Sequence, residues 1–274
     1  MSSDADLAPT AGGEPHVHTD RRVLLVAGPG DSTDIVANFL AVRVPDLVVV
    51  MESPPSRLRM ARRRARREGW LSAVGQVLFR VLLQPVLRRH SARRRAAILA
   101  AASLDVTHRP PHHRVPSVND EQMVSLLTSL RPAMVVVNGT RVISARVLGS
   151  AGCPVTNLHA GITPRYRGVH GGYWALADQH PEWVGTTVHL VDPGIDTGGI
   201  LAQSVFEVTR EDSFATYPYL HLVAGLPLLG AQVDKVLAGA TLEPTMVGIA
   251  PGSRLYYHPT IWGYLQRRWR QGVR

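Results

Sequence analysis

Three short runs constrain this chain most: Arg22–Ala27, Asp46–Met51 and Met134–Val137, each almost continuously apolar and rich in valine. A strand with one wet face alternates apolar and polar side chains, whereas a strand covered on both faces does not. The runs are too short for helices, so they read as buried strands. Between them lie segments with helical spacing, including Ile35, Val36, Phe39 and Leu40, and a stretch opened by Asp120-Glu121-Gln122 that runs to Leu130. Strand, helix, strand and helix in that order imply an α/β fold with a doubly wound, mostly parallel sheet and right-handed crossovers. Ligands in such sheets bind at the carboxyl ends of the strands.

The turn Gly28-Pro29-Gly30-Asp31-Ser32-Thr33 follows the first run, and Ser32 or Thr33 is placed to cap the next helix. Gly-x-Gly is a tight strand-to-helix turn in the first instance; phosphate binding there stays open. Val115–Asn119 reads as a further short strand. With 274 residues, 45% hydrophobic and 19% charged, the chain is long enough for a sizeable core. Cys153 is the only cysteine, which rules out an internal disulfide and a four-cysteine zinc site. Residues 1–20 are small, polar and acidic, and read as a disordered lead. No signal-peptide pattern and no long apolar run stand out, so a cytoplasmic location without a spanning helix is expected.

Chemistry concentrates between Val155 and Gln203. Asn157 and His159, two apart on an extended segment, point to one face. Asp196 lies in the turn Asp192-Pro193-Gly194-Ile195-Asp196-Thr197-Gly198-Gly199, which reverses the chain and lets backbone approach a ligand. An imidazole, a carboxylate and an amide supply a base, an orienting anion and an oxyanion donor, a set suited to group transfer to an amine. His189, in the strand Thr186–Val191, reads as a core or edge residue.

Asn-x-His, then Tyr-Arg-Gly, then Asp-x-Gly-x-Asp-x-Gly-Gly ahead of a short strand, resembles the folate-dependent formyltransferases. These act on glycinamide ribonucleotide, methionyl-tRNA or amino sugars. The resemblance spans roughly Arg22 to Gly239 and implies the formyltransferase-type Rossmann-like sheet. By it, Asn157, His159 and Asp196 are catalytic, with His159 as base or oxyanion stabiliser. Arg141, Val142 and Ile143, with Asp192, Gly194 and Ile195, would hold 10-formyltetrahydrofolate. The implied acceptor is a small-molecule amine, phosphate-bearing in the case of a nucleotide-linked amino sugar. Where the family usually has proline and serine after the histidine, this chain has Ala160-Gly161, a change of loop shape more than of chemistry. Hydrolysis of the formyl cofactor is an alternative on the same fold.

The domain so implied covers 21–240, with a departure at about 55–105. There Arg57, Arg59, Arg62, Arg63, Arg64, Arg66 and Arg67, then Arg80, Arg88, Arg89 and Arg93–Arg95, interleave with leucines and valines, while Lys235 is the only lysine. Three readings compete for this arginine-rich helical insertion. It is a solvated helical hairpin, a site for a phosphate-bearing acceptor or RNA, or a peripheral membrane surface. With few aromatics interleaved, no stable nucleic-acid complex is expected; a non-catalytic protein binding nucleic acid or anionic membrane through Arg57–Arg95 is the alternative from another class. His108, His112 and His113 sit among prolines and arginines, a poor metal site, and no metal is assigned. Arg165–Gly172 reads as a mobile loop able to hold the acceptor. The tail, 241–274, is aromatic and basic: packing on the domain, a homodimer contact or an acceptor contact are the roles open to it. It is shorter than the separate C-terminal barrel of methionyl-tRNA formyltransferases, from which a non-tRNA acceptor is expected.

Overall fold

The computed structural model describes residues 21–108, 111–245 and 252–274, so the lead expected at 1–20 lies outside the described residues. Strand β1 (Val23–Ala27) is buried at all five positions, as a strand covered on both faces must be. Helix α1 (Asp31–Ala41) and strand β2 (Leu47–Glu52) follow. The insertion is helical, with α2 (Arg57–Glu68), α3 (Trp70–Leu78), a π-helical turn Phe79–Leu83, α4 (Gln84–His90) and α5 (Ala92–Ala101). Then come β3 (His112–Val115), α6 (Glu121–Leu130), β4 (Met134–Asn138), α7 (Ala145–Ser150) and β5 (Val155–His159). The remainder is β6 (Tyr166–Gly168), α8 (Gly171–Ala177), β7 (Gly185–Leu190), β8 (Ile200–Val205), α9 (Tyr217–Leu237), β9 (Arg254–Tyr256) and α10 (Ile261–Gln271).

Seven strands form one sheet in the order β3-β2-β1-β4-β5-β7-β8. The first five are parallel and β7 and β8 are antiparallel, so the mostly parallel sheet expected from the sequence is present. One core lies under α1 and α9, where Leu25, Ile35, Leu40, Leu226 and Leu229 are packed out of solvent. The other lies under α6 and α7, with Leu24, Val26, Met123, Leu127 and Val137.

Several details differ from the sequence reading. Strand β3 ends at Val115 instead of beginning there, because Pro116 has no N–H to continue a ladder. Neither Ser32 nor Thr33 caps α1: the Thr33 hydroxyl donates to the Gly28 carbonyl at 2.6 Å, tightening the turn instead. Asp120 does cap α6, accepting from the Gln122 amide. The expectation of no long apolar run also fails. Trp70–His90 and Tyr217–Leu237 are both long and apolar enough, by length and composition, to cross a membrane. The second is the core helix α9; the first lies largely exposed on the insertion.

The segment Arg165–Gly172 is fastened, not an open loop. Strand β6 pairs with β9 from the tail, matching Tyr166 with Arg254 and Gly168 with Tyr256. Tyr256 stacks on Tyr166 and Trp174, at 5.3 and 5.2 Å between ring centroids. Helix α10 packs on α3 and sends Tyr264 into an aromatic cluster with Phe79, Tyr173, Phe214 and Tyr217. The tail is thus part of the core. Tyr264→Ala should lower unfolding stability by about 3–5 kcal/mol, while Trp269→Ser, on the exposed side of the same helix, should change it by less than about 0.5 kcal/mol. Urea denaturation measures both, and a neutral Tyr264→Ala would remove the tail from the core.

Candidate functional site

The sheet's architecture sets out the site. Parallel strands β4 and β5 end side by side, with Val137 opposite Asn157, and β7 returns antiparallel so that His189 stands across from Asn157. Beyond these ends opens a cavity of about 510 Å³. Its walls include Gly139–Ile143, Asn157–His159, Asp192, Gly194–Asp196 and, on the far side, His170, Tyr173, Phe214, Tyr217 and His221.

Asn157, His159 and Asp196 meet at the cavity floor. His159 is 5% exposed; its Nδ1 lies 3.4 Å from Asp196 Oδ2 and its Nε2 lies 2.8 Å from the Tyr166 carbonyl. Both ring nitrogens therefore face oxygen acceptors, which a doubly protonated ring satisfies. The Asn157 Nδ2 donates to Asp196 Oδ1 at 3.3 Å and lies 3.2 Å from His189 Nε2. The Gly168 amide donates to Asp196 Oδ2 at 2.8 Å. Burial alone pushes the Asp196 carboxyl up; the charge of His159, a hydrogen bond from His189 and the Gly168 amide outweigh it and hold the group well below the usual carboxylate range.

Sequence reasoning placed His189 in the core or at an edge, and missed its partnership with this site. It is 2% exposed, yet its Nε2 lies 3.4 Å from Asp196 Oδ1. Its Nδ1 is 2.7 Å from the Leu190 carbonyl, so Nδ1 carries a proton, and Nε2 faces both the Asn157 amide and the Asp196 carboxylate. Only the β5–β7 register brings the two together, and spacing along the chain gives no signal of it.

Gly161, where the chain departs from the family pattern, sits beneath this group. A Cβ there would come within 2.6 Å of the Tyr166 carbonyl oxygen and 2.7 Å of His159 Nε2. Gly168 is in the left-handed region (φ 93°), and a Cβ on it would collide with the Tyr256 carbonyl at 2.2 Å. Both glycines allow close backbone approach that no side chain would.

The six residues assigned to the cofactor line the cavity, but they divide in how they face it. The Arg141 guanidinium turns away, with Nε 3.2 Å from the buried Glu52 carboxylate and a further bond to the Ser53 carbonyl; the Arg141 amide also donates to Glu52 at 2.7 Å. Asn119 fixes the other end of this loop, donating to the Val142 carbonyl and accepting from the Ser144 amide. What the loop offers is Val142, half exposed, and Ile143. Opposite it, Asp192 is occupied by the Gly194 amide and the Thr197 hydroxyl, which shape the turn, and the Ile195 carbonyl accepts from Arg167.

The far wall holds a directional chain. Arg80 can only donate, so its 2.7 Å contact makes His258 Nε2 an acceptor; His258 Nδ1 then donates to His170 Nε2 at 2.9 Å. Burial first, then the nearby Arg80 charge, lowers His170 to about 4. Burial likewise lowers His221 to about 3, aided by the nearby His159 and His170 and opposed by the Gly185 backbone; no side chain among the described residues bonds its ring nitrogens.

Residues 87–219 match the family model described as "Formyl transferase". Among curated relatives, the chain is 32% identical over 133 residues to a methionyl-tRNA formyltransferase of Thermodesulfovibrio yellowstonii, covering 48% of this chain and 42% of the relative. It is 33% identical over 135 residues to that of Pelotomaculum thermopropionicum, covering 49% and 40%. The chain thus spans less than half the length of these relatives. Among solved structures it resembles an N-formyltransferase from Helicobacter canadensis in complex with folinic acid and dTDP-3-aminofucose (TM-score 0.51, 15% identity, 85% of this chain and 70% of the other). It also resembles a glycinamide ribonucleotide transformylase from Symbiobacterium toebii (TM-score 0.52, 19% identity, 85% and 94%). At these identities the structural likeness is one of fold.

Two outcomes follow from the geometry. His170 and His221 bind protons less readily folded than unfolded, so their contribution to stability is intact above an unfolded value near 6.5 and is lost as pH falls below it. Each withdraws about 1.4 kcal/mol per pH unit until its folded value is reached. Thermal melting between pH 7 and pH 5 should fall less steeply for His221→Phe than for the parent; equal slopes would contradict the assignment. Gly161→Ala should separate His159 from the Tyr166 carbonyl, visible as a changed His159 ring resonance in NMR; an unchanged resonance would contradict the contact.

Proposed function

We propose that this chain, a member of the formyl transferase family through its residues 87–219, transfers a formyl group from 10-formyltetrahydrofolate to the amino group of a small-molecule acceptor. The observation that carries the reading is the convergence of Asn157, His159 and Asp196 at the floor of the cavity. The residues present fit the co-substrate. Val142 and Ile143 on one loop, with Val137 and Val191 behind, give a flat apolar wall for a pterin, and the turn 192–196 faces it with backbone groups. When bound there, the folate supplies a formyl carbon activated by its nitrogen.

The chain's own residues then do the following. His159, once its Nε2 leaves the Tyr166 carbonyl, either takes the proton of the attacking amine or, when charged, donates to the developing oxyanion. Asp196, kept ionised by its donors, favours the imidazolium in both roles and fixes the ring's orientation. Asn157 releases one of its two contacts to donate to the oxyanion. His189 supports this exchange, since a charged His189 can hold Asp196 in place of Asn157.

For the acceptor we infer an amino sugar, nucleotide-linked as in the Helicobacter canadensis complex. Support comes from the far wall, where Phe214, Tyr173 and Tyr217 offer aromatic faces to a sugar ring and His221 offers ring nitrogens to hydroxyls. The Arg141 guanidinium is tied to Glu52 and is not presented to a phosphate, so in this reading a diphosphate lies toward the cavity mouth.

The test is incubation of the protein with 10-formyltetrahydrofolate and a panel of amines, following tetrahydrofolate and formylated product by mass. His159→Ala, Asp196→Ala and Asn157→Ala should each slow transfer on the order of a hundredfold or more while folate binding persists. Near-parental turnover in any of the three removes that residue from the mechanism. Release of tetrahydrofolate with no formylated amine would make water the acceptor.

A further inference from the structure

The helix Trp70–His90 is apolar on both sides. Its inner side is accounted for: Ala73 and Phe79 are buried, and Leu83 and Leu87 pack beside them. Its outer side is not. Trp70, Val74, Val77 and Val81, spaced i, i+4, i+7 and i+11, form one stripe with exposures between 42% and 68%. The π-helical turn carries the stripe on to Val86. Between Trp70 and Leu87 the only charged residue is Arg80, and it points inward to His258.

Helix α10 extends the patch. Trp262 lies against α3 where Gly75 leaves room, and Leu265 borders the same groove as Leu83 and Val86. Trp269, on the same face of α10, is 84% exposed. Arginines stand at both ends: Arg66 before the stripe, Arg88 and Arg89 after it, all exposed and without an acidic partner among the described residues. Glu68 is the only acid between Arg57 and Ala101, and it is already engaged by Gln76 and Arg67.

We propose that this face docks in the plane of an anionic lipid bilayer, with the valine and tryptophan stripe in the headgroup–acyl boundary and the flanking arginines on lipid phosphates. Tryptophans at the edges suit that boundary, where one side is apolar and the other wet. The helix lies on the membrane and does not cross it, because its other side is committed to the protein core. A second copy of the chain is a poorer occupant. A two-fold pairing of the stripe would set the arginines at its two ends against one another, with no free carboxylate between them. A nucleic acid would answer the arginines and leave the valines in water.

The experiment is co-sedimentation of the full chain with vesicles of phosphatidylcholine alone or of phosphatidylcholine and phosphatidylglycerol in equal parts. The parent should partition onto the anionic vesicles at least about tenfold more strongly, and less so in high salt. Val77→Asp with Val81→Asp should weaken this partition by about tenfold or more, and Arg88→Gln with Arg89→Gln should erase the preference for phosphatidylglycerol. Trp269→Ser, at a position with few contacts to lose, should weaken it as well, which keeps the test valid if the valine variant melts early. Parental binding by the valine variant, or no binding to either vesicle, overturns the proposal. So does a lipid-free dimer that Val77→Asp with Val81→Asp dissociates, since the face would then belong to a second copy.

Discussion

One buried carboxylate organises the site. Taking an ion out of water costs several kcal/mol unless donors replace the lost hydration, and Asp196 is held by Asn157 and His159 on β5, His189 on β7 and the Gly168 amide on β6. These donors lie on two paired strands of the main sheet and one strand of the small sheet. A one-residue slip between β5 and β7 would carry His189 to the opposite face of the sheet and leave the anion short of a partner. The Gly168 amide in turn depends on β9, whose Tyr256 carbonyl occupies the space a side chain at 168 would need. The tail therefore supports the cavity floor from eighty-odd residues away, through the β6–β9 backbone pairing and the stacking of Tyr256 on Tyr166.

That dependence explains which parts of the molecule were legible in the sequence. Strands β1, β2 and β4 announce themselves because both faces are covered and every position before the closing Glu52 and Asn138 is apolar. Asn157 and His159 are legible because period two is a local property, and Asp196 because its turn is rich in glycine. The partnership of His189 is not local. It rests on the register of β5 with β7, set across the intervening β6 and α8, and a lone histidine in β7 carries no mark of that. Strands β6 and β9, three residues each, are too short to show any period, so the segment around Arg167 read as a loop. Strand β3 is polar at His112–Arg114 because it is the sheet's edge, so its histidines, set among prolines and arginines, showed no strand pattern. The direction of Arg141 was equally hidden, although Glu52, a carboxylate ending an apolar run, was the available sign of a buried cation partner.

The arginine-rich insertion shows how one helix can serve two surfaces. Inward, Phe79 joins the aromatic cluster behind the cavity, and Arg80 fixes the tautomers of His258 and His170 at the cavity wall. Arg80 thus does for the far wall what Asp196 does for the floor, setting which ring nitrogens donate and which accept. Turning this one charge inward leaves the outward stripe from Trp70 to Val86 with no charge at all. An ordinary surface helix would distribute residues the other way, with charge toward water and apolar side chains toward the core. Here the domain's need for a donor at His258 and the uncharged outer face are two consequences of the same rotation of the helix. A shift that exposed Arg80 would interrupt the stripe and unfasten the histidine chain together.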